Sequence, residues 1–289
     1  MNRKQALKTI ASSSAVLLTS TKGDAFYSSK DGNDPLKGNI NHSACRWCYR
    51  NIPLPELATA GKDMGLKSIE LLEPDEYKTV TKAGLTCAMA NGSMIGIPNG
   101  FNQPKNHSKL KKDFFERLPI AAEYGLTKMI CFSGNHWEES EKKGLDHCAF
   151  GLEPVLEEAA KYNITICMEL LNSKVNHAGY QCDRTAWGVQ LAEKLGADNF
   201  KLLYDIYHMQ VMEGDIIATI TEYSKYIGHY HTGGVPGRNE IDESQELNYA
   251  AIMKAILDTG YTGYVGQEFI PKDPDPLESL RQGLSICDI

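Results

Sequence analysis

The feature that most constrains the fold is a regular alternation of apolar runs and helix-like stretches after residue 42. Continuous apolar runs of this length are typical of parallel β-strands that are covered on both faces. Several helix-like stretches end in Gly or Asn directly before the next run, which is a common helix stop. The eight strand-like runs are 43–49, 66–72, 85–90, 127–133, 164–171, 199–205, 227–234 and 262–269.

The number and spacing of these units match one large barrel. Eight strand–helix units over about 245 residues have the size of a (β/α)8 barrel. A doubly wound open sheet alternates in the same way. The polar residues decide between the two, because they lie at the C-terminal ends of several strands, and a barrel gathers all such ends at one mouth. The sequence therefore predicts an α/β protein in which residues 43–289 form a single-domain (β/α)8 TIM barrel.

The N-terminal segment differs from the rest of the chain. A basic region at 1–8 precedes a mildly apolar stretch at 10–18, which is the layout of an export signal of a degenerate twin-arginine type. The stretch is too short to span a membrane. We expect an export signal at 1–25 and a polar linker at 26–42, hence a periplasmic protein. The alternative is a frayed N-terminal tail on a cytoplasmic protein.

Composition and cysteine spacing argue against several function classes. The net charge is −7 and no basic stripe is present, so nucleic acid is not an expected partner. Cys45 and Cys48 form a CxxC. A redox CxxC normally opens a helix, but this one lies in a strand-like run. No second pair at zinc-finger spacing accompanies it. The expected partner is a small molecule, and the sequence is compatible with a homo-oligomer.

Four successive strand-like runs end in an acid or an imidazole. They are closed by Glu169, Asp205, His231 and Glu268. Burial of such groups is costly unless they meet a charge partner or a metal. Neighbouring strands in a barrel lie about 4.8 Å apart, so these four side chains can converge. Three carboxylates and one imidazole suit Mn²⁺, Mg²⁺, Co²⁺ or Zn²⁺, and the sequence predicts one such divalent metal.

Glu169 and Glu268 are also the predicted catalytic pair. Their strands are separated by two others, so the two carboxylates would face each other across a substrate. One carboxylate can remove a proton from carbon and the other can return it. A metal between them would polarise the carbonyl and stabilise the enediolate.

Two polar residues beside these strand ends are candidates to bind substrate. His208 follows Asp205 by three positions and can hydrogen-bond a substrate hydroxyl from the sixth loop. Arg238 lies in a Gly/Pro-rich loop and suits a carboxylate or phosphate group. The alternatives are a polar residue at a helix N-terminus and a surface arginine paired with a nearby acid.

Other candidates come from neighbouring loops and strand ends. Asn172 could orient the preceding glutamate or contact substrate, and Glu70 could support the ligands from behind. Trp47, Tyr49 and Trp137 are candidate apolar walls. The full set of predicted substrate-binding residues is His208, Arg238, Asn172, Glu70, Trp137, Lys174 and His177.

The segments around these residues resemble the xylose-isomerase-like barrel superfamily, and within it the hydroxypyruvate isomerase family above all. They are CMELLNSKVN, LLYDIYHMQ, GHYHTGGVPGRNE, ELNYAAIM and GYVGQEFIP, within residues 43–272. The resemblance implies a divalent metal bound by Glu169, Asp205, His231 and Glu268. It implies that Glu169 and Glu268 transfer the proton, and that His208 and Arg238 match substrate-binding positions.

The chain departs from the hydroxypyruvate isomerases at His231, where they have Gln and ketose epimerases have His. We therefore predict a metal-dependent isomerase or epimerase of a small sugar, ketose or hydroxy-keto acid. A lyase on the same barrel, of the keto-inositol or dehydroshikimate dehydratase type, is the first alternative. The others are a nuclease of the endonuclease IV type, which would need a basic groove, and a non-catalytic sugar-binding protein.

Overall fold

The computed structural model describes residues 35–137 and 139–289. The predicted export signal and most of the predicted linker lie outside these residues. The described chain forms one eight-stranded parallel sheet. Its strands are β1 Asn41–Cys45, β2 Ser68–Glu70, β3 Ala90–Asn91, β4 Lys128–Cys131, β5 Thr165–Glu169, β6 Phe200–Asp205, β7 Ile227–Thr232 and β8 Tyr264–Gln267.

In the described chain every strand is followed by a helix, and β6 is followed by two. The helices are α1 Leu54–Asp63, α2 Tyr77–Lys82, α3 Pro104–Glu123, α4 Glu141–Ala160, α5 Thr185–Leu195, α6 Ile206–Met212, α7 Ile216–Tyr223, α8 Tyr249–Asp258 and α9 Pro276–Cys287. Within residues 35–137 and 139–289, none of these helices combines the length and the apolar character needed to cross a membrane.

Hydrogen bonds close the sheet into a circle. β1 pairs with both β2 and β8, and each remaining strand from β3 to β8 pairs with the next. Between β2 and β3 the Leu71 N–H donates to the Met89 carbonyl at 2.7 Å, and the Ile69 N–H donates to the Thr86 carbonyl at 3.1 Å. The predicted single-domain (β/α)8 TIM barrel is therefore confirmed.

Two strands differ from the predicted runs by more than a shortening at the ends. β1 starts at Asn41, inside the predicted linker, and ends at Cys45, after which Arg46–Tyr49 form a 3-10 turn. β3 is regular only at Ala90–Asn91, which is the last residue of the third predicted run and the residue after it. Earlier in that run the Ala88 N–H donates to the Ser68 hydroxyl at 2.8 Å instead of to a ladder carbonyl. Side-chain hydrogen bonds of this kind compete with backbone pairing and are invisible to an apolar pattern.

The inside of the barrel is layered. An apolar layer crosses it and consists of Met89, Ile130, Cys167 and Leu203, all buried. Side chains two positions apart on a strand point to the same side, so Glu169 and Asp205 project into the barrel directly above Cys167 and Leu203. The apolar layer thus forms the floor of a polar layer at the C-terminal mouth.

Candidate active site

The structure brings together all four predicted metal-ligating residues, Glu169, Asp205, His231 and Glu268. Each offers one ligand atom, and these atoms lie within 4.8 Å of one another. All four side chains are buried. Asp205 and His231 face each other as register partners on β6 and β7, while Glu169 ends β5 and Glu268 directly follows β8. Parallel neighbours in register therefore explain why the strand ends meet.

The donor set of this cluster fits a hard divalent cation. His231 Nδ1 lies 2.7 Å from Glu268 Oε2 and 3.6 Å from Glu169 Oε1. Glu169 Oε1 is buried and has no hydrogen-bond partner within the described chain. Three carboxylates around one imidazole hold more negative charge than a buried site tolerates by itself. Mn²⁺, Mg²⁺, Co²⁺ and Zn²⁺ all accept oxygen and imidazole ligands of this kind.

The pKa values of the four residues are shifted because the buried cluster holds more carboxylates than positive charges. Burial and the neighbouring Glu268 raise the pKa of Glu169. Burial also raises the pKa of Asp205 to about 8, although Arg238 opposes the shift. For Glu268 the charges of Arg238 and His231 outweigh burial and hold the pKa well below its usual value. Burial would lower the pKa of His231, but its neighbours raise it well above the usual value.

Arg238 supplies one positive charge to this cluster. Its Nη2 donates to Asp205 Oδ2 at 2.9 Å and to Glu268 Oε2 at 2.7 Å. The guanidinium carbon lies 5.1 Å from the Trp47 ring centroid and 5.5 Å from that of Tyr207. The side chain is buried rather than paired at the surface. The arginine therefore binds carboxylates of two residues that are predicted to hold the metal.

Trp47 belongs to this site, and its polar role was missed in the sequence. Its indole Nε1 donates to Glu268 Oε1 at 2.6 Å from the 3-10 turn that follows β1. The sequence had suggested only an apolar wall. Tyr207, beside Arg238, was not predicted, and its hydroxyl donates to Asn176 Oδ1 at 2.8 Å. A tryptophan or tyrosine just after a strand end was the available clue, because a buried indole N–H needs an acceptor.

His208 lies in the first turn of α6 rather than in a loop. Its backbone N–H donates to Asp205 Oδ1 at 2.9 Å, which caps the helix. Its Nδ1 accepts from the Asn172 N–H at 3.1 Å, so Asn172 orients His208 rather than Glu169. Burial and the nearby Arg238 hold the pKa of His208 well below its usual value. The neutral ring leaves Nε2, which has no partner within the described chain, available for a substrate oxygen.

The other predicted substrate-binding residues lie at different distances from the cluster. The His177 ring centroid is 5.3 Å from that of His208, at the mouth. Lys174 Nζ instead donates to the carbonyls of Val211 and Met212 at the C-terminal end of α6. Trp137 is exposed. Of these three, only His177 is placed beside the buried groups.

Glu70 lies beneath the cluster and is completely buried. Its Oε1 is 2.6 Å from His231 Nε2 and 2.8 Å from His229 Nε2. Burial would raise the pKa of Glu70, but His229 and His231 hold it well below its usual value. The carboxylate therefore contacts the histidines from the side opposite to the mouth.

A sequence model of the family described as xylose isomerase-like TIM barrel matches residues 59–287. The chain belongs to the xylose isomerase-like TIM barrel family. The resemblance predicted from the site segments is thereby confirmed.

The names of sequence relatives show the general enzyme class of this xylose isomerase-like barrel. The human protein "Putative hydroxypyruvate isomerase" is 31% identical over 272 residues, which are 88% of this chain and 96% of the relative. The "2-oxo-tetronate isomerase" of Cupriavidus necator is 34% identical over 234 residues, or 76% of this chain and 87% of the relative. The protein is therefore an enzyme of the isomerase and epimerase class.

Solved structures share the fold of the xylose isomerase-like barrel. "AP endonuclease, family 2" from Brucella melitensis matches with a TM-score of 0.74 and 21% identity, over 83% of this chain and 97% of that chain. The 3-keto-D-glucoside 4-epimerase of E. coli matches with a TM-score of 0.72 and 19% identity, over 85% and 98% of the two chains. At this identity these similarities establish the architecture alone.

Proposed function

We propose that the protein is a metal-dependent isomerase or epimerase that moves a proton between carbons of a small sugar, ketose or hydroxy-keto acid. The observation that carries the proposal is the pair of buried glutamates, Glu169 and Glu268, in one cluster with Asp205 and His231. Binding alone does not require two facing carboxylates. The names of the sequence relatives, hydroxypyruvate isomerase and 2-oxo-tetronate isomerase, support the same class.

A divalent cation held by Glu169, Asp205, His231 and Glu268 would polarise the substrate carbonyl as a Lewis acid. The fit rests on the chemistry of the donors and on the unpartnered Glu169 Oε1, which points into the cluster. These donors suit Mn²⁺, Mg²⁺, Co²⁺ and Zn²⁺ alike.

The glutamates carry the proton in this proposal. Glu169 and Glu268 come from β5 and from the end of β8, so they approach a substrate from two sides. One carboxylate removes the proton next to the carbonyl, and the other returns it to carbon. The hydrogen bond from Trp47 fixes the orientation of Glu268, so its second oxygen stays directed into the site.

Arg238 and His208 bind the substrate in this proposal. Arg238 Nη2 is held by Asp205 and Glu268. The guanidinium, packed between the rings of Trp47 and Tyr207, is suited to pair with a carboxylate or hydroxyl of the substrate. His208 Nε2 would donate to a substrate oxygen. A substrate with a carboxylate beside the reacting carbons would use both groups.

The test is solvent exchange. The protein with Mn²⁺ is incubated in D₂O with hydroxypyruvate, 2-oxo-tetronate and a series of ketoses, and each product is analysed by NMR. Deuterium at the carbon next to the carbonyl is the expected result. Loss of water would assign the lyase alternative, and saturable binding without exchange would assign a sugar-binding protein.

Variants of the pair test the residues themselves. Glu169→Gln and Glu268→Gln should each reduce exchange by about 10²–10⁴-fold while the barrel stays folded. Glu157→Gln makes the same change of charge on the exposed face of α4 and serves as the control. Wild-type exchange rates in either site variant would refute the assignment of the pair.

A further inference from the structure

The three groups beneath the metal-ligand cluster form a buried clasp of Glu70, His229 and His231. The exposed surface of each is zero. One oxygen, Glu70 Oε1, lies 2.6 Å from His231 Nε2 and 2.8 Å from His229 Nε2. The two imidazole rings stand nearly perpendicular, with centroids 5.1 Å apart and an interplanar angle of 87°. β2 and β7 are thus joined inside the barrel by two hydrogen bonds to one atom.

The hydrogen bonds of this clasp determine which nitrogen of His231 is free. A carboxylate oxygen accepts hydrogen bonds and does not donate them, so both Nε2 atoms must carry hydrogen. The ring of His231 then presents Nδ1 on its other edge. That atom is the one beside Glu169 Oε1 and Glu268 Oε2, at 3.6 Å and 2.7 Å. Without a metal Nδ1 also carries hydrogen, because it faces a carboxylate at 2.7 Å. Once Nδ1 gives up that hydrogen for a metal, the clasp keeps the other hydrogen on Nε2 and directs the Nδ1 lone pair at the predicted metal position.

The packing around the clasp leaves room for Glu70 and little else. A Cβ at Gly266 would lie 2.6 Å from Glu70 Oε1 and 2.9 Å from His231 Cδ2, so any larger residue would displace one of them. Cys45 Sγ lies 3.7 Å from both Glu70 Oε1 and His231 Nε2. At the level of the clasp β8 therefore has no side chain, and the side chain that β1 contributes is small.

A second metal ion held by Cys45, Glu70 and His231 is the competing interpretation of these contacts. Zinc ligands at about 2.0–2.3 Å from an ion lie roughly 3 Å or more from one another. The separation of 2.6 Å between Glu70 Oε1 and His231 Nε2 is that of a direct hydrogen bond. His231 Nδ1 lies at a similar 2.7 Å from Glu268, so the donor set decides between the two groups. Nδ1 belongs with three carboxylates, whereas Nε2 has one carboxylate and a thiol, which favours the ion at Nδ1 and the proton at Nε2.

We propose that Glu70 is a positioning residue that holds His231 in the Nε2–H tautomer, so that Nδ1 is the metal-binding atom. His229 shares the same oxygen and restrains Glu70 from the side away from the mouth. The inference rests on the metal site of the proposed function. Partners that orient a metal-binding histidine in this way typically contribute about 10–100-fold to metal affinity.

The test compares two substitutions of Glu70. Glu70→Met removes the acceptor, whereas Glu70→Gln keeps a carbonyl oxygen that can occupy the position of Oε1. We expect Glu70→Met to weaken Zn²⁺ binding by about 10–100-fold in calorimetry. Glu70→Gln should recover most of that loss. Urea unfolding of the metal-free variants separates a loss of affinity from a loss of folded protein.

Nitrogen-15 NMR of the Zn²⁺-loaded protein gives a readout that a purely structural role would not change. With labelled histidine, wild-type His231 should show a metal-bound Nδ1 and a protonated Nε2, assigned with His229→Gln and His231→Gln. Glu70→Met should add a second population with the two nitrogens exchanged. If Glu70→Met does not fold, Gly266→Ala retains every ligand but separates Glu70 from His231 by displacing one of them, and it should weaken Zn²⁺ binding in the same way.

The possible failures are distinguishable. Glu70→Met could leave the His231 signals unchanged and lower the Zn²⁺ affinity by no more than about twofold, instead of the expected 10–100-fold. That result would overturn only the role of Glu70. If Glu70→Met does not fold, the same result in Gly266→Ala would overturn the role of Glu70. A wild-type protein that binds no divalent cation would overturn the metal site as well.

Discussion

Two neighbouring layers inside the barrel come from the same strands and differ completely in chemistry. On β5 Cys167 belongs to the apolar layer and Glu169 to the polar layer, and on β6 the corresponding residues are Leu203 and Asp205. Burial of the lower layer stabilises the fold. Burial of the upper layer opposes it, because carboxylates lose their hydration. Residues only two positions apart on the same strand therefore stabilise the fold in one layer and form the proposed metal site in the other.

The comparison predicts opposite responses to substitution in the two layers. Leu203→Ala should lower the free energy of unfolding by about 2–5 kcal/mol, because the side chain is completely buried in a closed layer. Urea unfolding of the metal-free protein measures this effect. The affinity for Zn²⁺ of the remaining folded protein should stay close to the wild-type value. A large loss of affinity would show that the two layers are not separable.

Asp205→Asn changes the residue two positions away in the polar layer. We expect Zn²⁺ affinity to fall by more than the roughly 10–100-fold attributed to a partner that only orients a ligand. The free energy of unfolding of the metal-free protein should fall less than in Leu203→Ala, because the new amide oxygen can still cap α6 and Arg238, which loses its hydrogen bond to position 205, keeps Glu268 as a partner. Calorimetry and urea unfolding report the two quantities. Destabilisation equal to that of Leu203→Ala would contradict the contrast between the layers.

Arg238 sharpens the comparison because it supplies charge to the polar layer. Arg238→Met should raise Zn²⁺ affinity by about 10–100-fold, since two charge-assisted hydrogen bonds no longer compete for Asp205 and Glu268. It should also raise KM, because the proposed substrate contact is lost. Arg238→Lys keeps the charge and should change the Zn²⁺ affinity less. Weaker metal binding in Arg238→Met would show that the guanidinium supports the ion instead of competing with it.

The smallest expected effect is the pH dependence of the metal-free protein. Folding raises the pKa of Asp205 to about 8, so between its ordinary pKa and that value the folded state binds more protons than the unfolded state. The contribution of Asp205 to stability should therefore fall as the pH rises through this window. The raised pKa of His231 acts in the same direction, because stability from its proton is lost at high pH. The lowered pKa of His208 acts in the opposite direction, but only below about pH 7, where the unfolded imidazole is still partly protonated. The apolar layer does not titrate in this window, because burial raises the pKa of its one thiol, Cys167, to about 11.

Thermal unfolding at roughly pH 7 and pH 8 checks this sign, because above about pH 7 the histidines whose pKa is lowered by folding, such as His208, are nearly neutral in both states. Tm of the metal-free protein should be lower at the higher pH, by about 2–4 °C for each kcal/mol lost. Mn²⁺ should raise Tm more at the higher pH, because protons compete with the metal at the lower one. In Asp205→Asn the pH dependence should be smaller. A Tm of the metal-free protein that rises between these pH values would contradict the assigned shifts.

Much of the site follows from local patterns. Apolar runs that end in Glu169, Asp205 and His231 suffice to predict a shared site, because neighbouring parallel strands in register place their ends side by side. The role of Trp47 does not follow in the same way. Its indole meets Glu268 across 221 positions of sequence, from a turn that was predicted to be strand. No periodicity specifies such a contact.

The sequence by itself determined the alternating strands and helices, the barrel, and the set of acids and imidazole at its mouth. These properties follow from the period of the strands and from the size at which eight units close. Only the tertiary structure decided which atoms meet. Glu70 and His231 lie 161 positions apart, and Arg238 lies between Asp205 and Glu268. Ring closure and loop packing bring these distant groups within hydrogen-bond distance, and neither is encoded in any single segment.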